Sequence, residues 1–299
     1  MKRILVTGAG GMVGSYVPSV FGDLELTLTD VVPEVAQMDV ADPEAVMRAV
    51  VDAQPDVVLH LAAATDVDQC EKDHDLAFRV NAIGTQNVAL ATRAVGAELV
   101  YISTAGVFDG EKHEPYTEFD DPAPGNVYGH SKLAGERVVS TLLDRFYIVR
   151  AGWMIGGGAK DKKFVGKIVS QIEEGQTELR AVDDKFGSPT YARDLLEGIR
   201  RLLQTGYSGL YHMVNGGCCS RYDVAVEIRS ILGRPEIQIE PVSSAHFPLP
   251  APRVRSEAMR NYKLELLGLE PQRSWQEALR AYVEDELLTG SSAESRPAA

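Results

Sequence analysis

The sequence is short of cysteine and of positive charge, and it has no long apolar run. Three cysteines occur in 299 residues: Cys70, Cys218 and Cys219. Two are adjacent, and none stands in a C-x-x-C or Cys/His ligand spacing, so neither a disulfide framework nor a metal site is read from them. Reduced thiols in a packed region are expected. No apolar stretch approaches the ~18 residues of a membrane-spanning helix. The N-terminus MKRILVTG runs straight into glycine, without the apolar region and cleavage site of a signal peptide. A cytoplasmic location and no membrane partner are therefore expected. With 30 basic against 43 acidic residues the formal charge is −13. A nucleic-acid partner would need a concentrated basic face and is not expected.

The basic charge that is present gathers in two islands. AKDKKFVGK (159–167) holds Lys160, Lys162, Lys163 and Lys167; APRVRSEAMRNYK (251–263) holds Arg253, Arg255, Arg260 and Lys263. Solvated surface charge is the plain alternative. In so acidic a chain, two such islands suggest an anionic group held locally, such as a diphosphate.

Hydrophobic residues make up 44%, within the globular range. Apolar strand-like runs at 2–7, 24–29, 56–62, 97–103 and 145–151 alternate with helical patterns at 12–21, 42–53, 74–94 and 126–143. In the second helix Asp42 can cap the free amides and Pro43 suits the first helical position. Such alternation predicts βαβ units, a doubly wound parallel sheet of the α/β class, and ligands beyond the carboxyl ends of the strands. The division expected is a Rossmann-like dinucleotide-binding domain over 1–152, with return segments at about 179–205. A smaller interleaved C-terminal lobe, 153–289, would bind substrate. Helices are expected near 163–174, 192–205 and 221–232. The small polar segment 290–299 reads as a disordered tail.

TGAGGMVG (7–14) lies where the first strand turns into a helix. Gly8, Gly11 and Gly14 let the backbone approach a pyrophosphate, which the helix amino end can bind. The spacing is GxxGxxG, with Val13 where the GxGxxG form has glycine. Asp30 ends the second strand and can accept from ribose hydroxyls, whereas it would repel a 2′-phosphate. NAD(H) is thus favoured over NADP(H). Asp39 could reach the adenine, or serve only in its turn.

PGNVYGHSKLAGER (124–137) places Tyr128 and Lys132 four residues apart, on one helix face. An ammonium beside a phenol of pKa ~10 favours the phenolate and lowers that value, making Tyr128 a usable acid or base. Upstream, ISTAGVFDG (102–110) offers two hydroxyls, Ser103 and Thr104, past an apolar strand.

TGAGGMVG, HLAA (60–63), VNAIGTQN (80–87), IST (102–104) and YGHSK (128–132) together resemble the extended short-chain dehydrogenase/reductase superfamily. RAGWMIG (150–156), KFVGKI (163–168), VDDKFGSPTYARDL (182–195) and SWQEALRAYV (274–283) are similar to the dTDP-4-dehydrorhamnose reductases and related sugar-nucleotide reductases. The likeness spans about 1–287. It implies Thr104 on the substrate oxygen, Tyr128 as proton donor, and Lys132 on the ribose and tuning Tyr128. Asn81 takes the position of a helix-bending asparagine. Met12, Val13, Val40, Leu61, Ala62 and Ala63 would complete the dinucleotide site; Trp153, Lys163 and Arg253 would face the substrate. The implied activity is NAD(P)H-dependent reduction of a nucleotide-activated 4-keto-6-deoxy sugar. A homodimer is compatible with it. Two departures lie on the substrate side: Ala105-Gly106 replaces an Asp-Tyr pair, and DKKFV replaces GxNFV. They leave the sugar open. The rival readings are an epimerase with tightly held NAD and a non-catalytic dinucleotide-binding subunit; the intact Thr104, Tyr128 and Lys132 speak against the second.

Overall fold

The computed structural model describes residues 2–158, 161, 163–269 and 272–288. Lys160, Lys162 and the expected tail at 290–299 lie outside the described residues. The chain begins with β1 (Arg3–Thr7), α1 (Val17–Phe21), β2 (Glu25–Asp30), β3 (Ala36–Gln37), α2 (Pro43–Ala53) and β4 (Val57–His60). It continues through α3 (Val67–Lys72), α4 (His74–Phe78), α5 (Thr85–Ala94), β5 (Glu98–Thr104), α6 (Val127–Leu142) and β6 (Phe146–Ala151). Then follow β7 (Trp153–Ile155), α7 (Phe164–Glu173), β8 (Glu178–Val182), β9 (Phe186–Gly187), β10 (Pro189–Tyr191) and α8 (Ala192–Thr205). The last elements are β11 (Gly209–His212), β12 (Cys219–Ser220), α9 (Arg221–Ile231), β13 (Gln238–Val242), β14 (Ser256–Glu257), α10 (Tyr262–Leu266) and α11 (Trp275–Tyr282).

Seven strands form one sheet in the order β11-β6-β5-β4-β1-β2-β3, and every pairing in it is parallel. A strand shows alternate residues to opposite faces. Here Ile4, Val6, Val57 and Leu59 join a core shared with α1, α7, α8 and α11. Leu5, Val58, Leu99 and Tyr101 join the other, with α2, α5 and α6. Both faces are covered, which is why these strands read as unbroken apolar runs. Short strand pairs lie beside the main sheet: β7 with β10, β8 with β13, and β9 between β12 and β14.

Asp42 caps α2 as its position suggests, its carboxylate accepting from the amides of Glu44 and Ala45 at 2.9 and 3.1 Å. The helix expected over 12–21 starts later, as a 3₁₀ turn at Gly14–Tyr16 that leads into α1. The glycines before it favour a loop over a helical first turn. The pattern at 74–94 is split by a π-helical turn over Arg79–Gly84, which contains Asn81. No helix among the described residues is long and apolar enough to cross a membrane.

Candidate functional site

One cavity of about 1260 Å³ opens over the carboxyl ends of the strands. That exceeds the upper end of roughly 1,000 Å³ usual for a single small ligand, so it has room for two molecules side by side. The catalytic, dinucleotide-side and substrate-side residues named above line it, but of the described cations in the two basic islands only Lys163 and Arg253 do.

At one end β1 runs into Gly8, whose φ of +72° suits glycine. A Cβ there would lie 2.5 Å from the amide nitrogen of Ala62, so only glycine lets the loop pack against the end of β4. The turn closes by Gly11 N–H to Gly8 O, 3.2 Å, and Ser15 N–H to Gly11 O, 3.1 Å. The amides of Met12 and Val13 have no acceptor among the described residues. Unpaired donors at a helix amino end suit an anion. Asp30 closes this end: its carboxylate accepts from Gly10 N–H at 2.9 Å and from Val31 N–H at 2.6 Å. Asp39 accepts from Ala41 N–H at 2.8 Å, the turn role, while also bordering the cavity. Val40, Leu61, Ala62 and Ala63 add an apolar wall. Paired free amides next to a fixed carboxylate fit the diphosphate and ribose of a dinucleotide.

In the middle, β5 delivers its two hydroxyls to opposite sides. Ser103 turns away and donates to Glu136 at 2.5 Å. Glu136 forms a buried two-pronged pair with Arg150, at 2.9 and 2.7 Å. Thr104 remains on the cavity side, its hydroxyl accepting from Gly106 N–H at 3.0 Å. Asn126 starts α6 by accepting from Gly129 N–H at 2.9 Å, and donates to Pro252 O at 3.1 Å. In its first turn α6 carries Tyr128, and one turn later Lys132, into the cavity. Asn81, in the widened turn, accepts from Ala64 N–H at 2.8 Å and donates to Ala64 O and Ser131 Oγ, each at 3.0 Å. It therefore ties the segment after β4 to the Tyr128 helix.

The electrostatics correct one expectation. The Tyr128 phenol is not lowered: burial pushes it up to about 12, with a hydrogen bond to Thr104 opposing and the Glu257 charge adding to the rise. Burial also draws Lys132 down to about 7 against the pull of Glu136. Its ammonium lies 4.1 Å from the centroid of the Tyr101 ring. Desolvation outweighs pairing at both positions.

The far end is built from β7, α7, α9, β14 and the segment before it. Trp153, Lys163 and Arg253 border this end. Arg253 is already paired with Asp68 at 3.0 Å. Burial holds Lys163 below the ordinary lysine value. Three residues here escaped the sequence reading. Lys185 donates to Arg253 O at 2.8 Å. Arg221, at the start of α9, lies 3.8 Å from the Trp153 ring centroid, and burial draws its guanidinium down to about 10. Glu257 accepts from the Trp153 indole N–H at 2.7 Å. Glu257 belongs to a segment read for its cations alone, and neither Lys185 nor Arg221 stands in a basic island. Cys70 and Cys219 are buried and Cys218 is exposed, all as free thiols. Among the described residues no cluster of His, Cys, Asp and Glu could hold a metal ion.

The profile of the family described as RmlD substrate binding domain matches residues 1–288. A dTDP-4-dehydrorhamnose reductase of Mycobacterium tuberculosis is 38% identical over 286 residues, covering 93% of this chain and 91% of that protein. Among solved structures, the dTDP-4-dehydrorhamnose reductase of Yersinia enterocolitica superposes with a TM-score of 0.88 at 40% identity, over 96% of this chain and 100% of its own. That of Bacillus anthracis, in complex with NADP, gives a TM-score of 0.89 at 36% identity, over 95% and 99%.

Proposed function

The chain belongs to the RmlD substrate-binding-domain family, and from that premise we propose that it reduces the C4 carbonyl of a nucleotide-activated 4-keto-6-deoxy sugar. The observation that carries this is the convergence of Thr104, Tyr128 and Lys132 on a cavity that also holds the glycine loop and a cationic far end. A reduced nicotinamide dinucleotide, when bound, supplies the hydride. Gly8, Gly11 and Gly14 leave room for its diphosphate, which the amides of Met12 and Val13 would bind, while Asp30 and Lys132 would take its ribose hydroxyls. Met38, Val40 and Leu61 to Ala63 enclose it. Because Asp30 stands where a 2′-phosphate would bring further negative charge, NADH is the donor we favour over NADPH.

The chain's own residues handle the proton. With a value near 12 the Tyr128 phenol is protonated at neutral pH, the state a proton donor needs. Thr104 and Tyr128 would hold the carbonyl oxygen, and Tyr128 would release its proton to it as negative charge builds there. Those bonds strengthen where the transition state needs them. Lys163, Lys185 and Arg221 would meet the diphosphate of the substrate, and Trp153 its sugar. We place the reaction in the cytoplasm.

The test is to follow NADH oxidation on a panel of 4-keto sugar nucleotides with the parent protein and with Tyr128→Phe. Loss of the proton donor should lower turnover by about 10²–10⁴-fold. Equal rates in the two proteins would refute the assignment. An epimerase would convert the sugar with no net loss of reduced cofactor.

A further inference from the structure

Directly after Thr104 the chain has Ala105 and Gly106, both buried. Neither offers a polar side chain to the cavity. A Cβ on Gly106 would lie 3.4 Å from Thr104 Oγ1 and 3.7 Å from Glu257 Oε1. The carboxylate of Glu257 therefore reaches the space beside the Thr104 hydroxyl that a longer side chain at 106 would approach. It is brought there by β14, which pairs in parallel with β9 at Glu257 opposite Gly187.

The two oxygens of Glu257 have different surroundings. Oε2 accepts from the Trp153 indole N–H at 2.7 Å. Oε1 has no donor among the described residues. Arg221 lies over the Trp153 ring and interacts with the Glu257 charge. One oxygen thus fixes the group, a neighbouring guanidinium offsets its charge, and the other oxygen borders, with the Thr104 hydroxyl, the space beside Gly106. An ionised carboxylate only accepts hydrogen bonds. What it can take at this place is a hydroxyl.

We propose that Glu257 is a specificity-determining residue that accepts a hydrogen bond from the sugar hydroxyl on the carbon next to the reacting carbonyl. The inference rests on the function proposed above for the identity of the sugar. With the carbonyl oxygen on Thr104, the hydroxyl of the adjacent carbon would come within reach of Glu257 Oε1. Because Oε2 is held by Trp153, the free oxygen has a fixed position, and only one configuration at that carbon delivers the hydroxyl to it.

The test crosses one mutation with one substrate change. kcat/KM is measured for the parent and Glu257→Gln on a 4-keto sugar nucleotide and on its analogue with hydrogen in place of the adjacent hydroxyl. Glutamine keeps the shape and can still accept from Trp153. With a charged bond at stake, the variant should lose about 10- to 100-fold on the hydroxylated sugar. On the deoxy analogue it should lose no more than about twofold, since the partner is already gone. A loss of the same size on both sugars would mean that Glu257 acts only through Trp153 or Tyr128, and would overturn the proposal. If the parent turns over no 4-keto sugar nucleotide, the proposed function fails by itself. The same four-way comparison is then made by calorimetry, with the 4-hydroxy sugar nucleotide and its deoxy analogue on NADH-loaded protein. Coupling between Glu257 and the hydroxyl supports the proposal there, and its absence overturns it.

Discussion

Replacing Glu136 by glutamine should destabilise the protein far more than a typical single substitution. Glu136 and Arg150 lie behind the reactive strand with side chains only 5% and 3% exposed. Their two contacts of 2.9 and 2.7 Å, with the bond from Ser103, use both carboxylate oxygens. The remaining Arg150 nitrogen, Nη1, is buried without a partner. The Phe108 ring lies 5.1 Å from the guanidinium carbon. Glu136→Gln keeps the shape and removes the charge, leaving a buried guanidinium uncompensated. Breaking such a pair costs about 3 kcal/mol or more. At roughly 2–4 °C per kcal/mol for a large domain, that is a fall in Tm of about 6–12 °C. Glu136→Leu combined with Arg150→Met removes both charges together and should recover most of the loss. The assay is thermal unfolding of Glu136→Leu, Arg150→Met and the double variant, read as a cycle, with Glu136→Gln measured beside them. If the double variant is as unstable as the sum of its singles, the pair is not coupled and the reasoning is refuted.

Two further outcomes follow from the site. The folded value of Lys132 is near 7, below its unfolded value of 10.5, so between those limits the unfolded chain binds the extra proton. Stability should therefore rise with pH across that window, by up to about 1.4 kcal/mol per pH unit. Lys132→Met should flatten this part of the curve in urea titrations at pH 7 to 10; an unchanged slope would show that another group sets it. Asp30→Ala should weaken NADH by about 10-fold or more through lost ribose bonds, while NADPH binding improves relative to it. Cofactor titrations with an unchanged NADH/NADPH ratio would remove Asp30 from the specificity argument.

The residues explain what was legible beforehand and what was not. The strands showed because both faces of the sheet are covered, so Ile4, Leu5 and Val6 all had to be apolar. Asp42-Pro43 and the loop from Gly8 to Gly14 are local signals, and local signals survive in a sequence. The direction of the Tyr128 shift was not local. The four-residue spacing to Lys132 suggested a lowered phenol, while burial, set by the whole fold, raises it. Glu257 was hidden for a similar reason. Its segment reads as a cationic island, and only β14 pairing with β9 brings its carboxylate to Trp153 and Thr104. The widened turn at Asn81 was marked only through the resemblance, by Asn81 itself; the pattern over 74–94 read as one helix.

The edge strand β11 sets a limit on how this molecule can be taken apart. It enters the seven-stranded sheet only at Gly209, after β7 to β10 have been laid down elsewhere, and it pairs with β6. A fragment ending at residue 152 would expose the hydrogen-bonding edge of β6, in which all residues but Phe146 are buried. Bare edges of that kind recruit other chains, so such a fragment should self-associate instead of serving as a free-standing nucleotide binder.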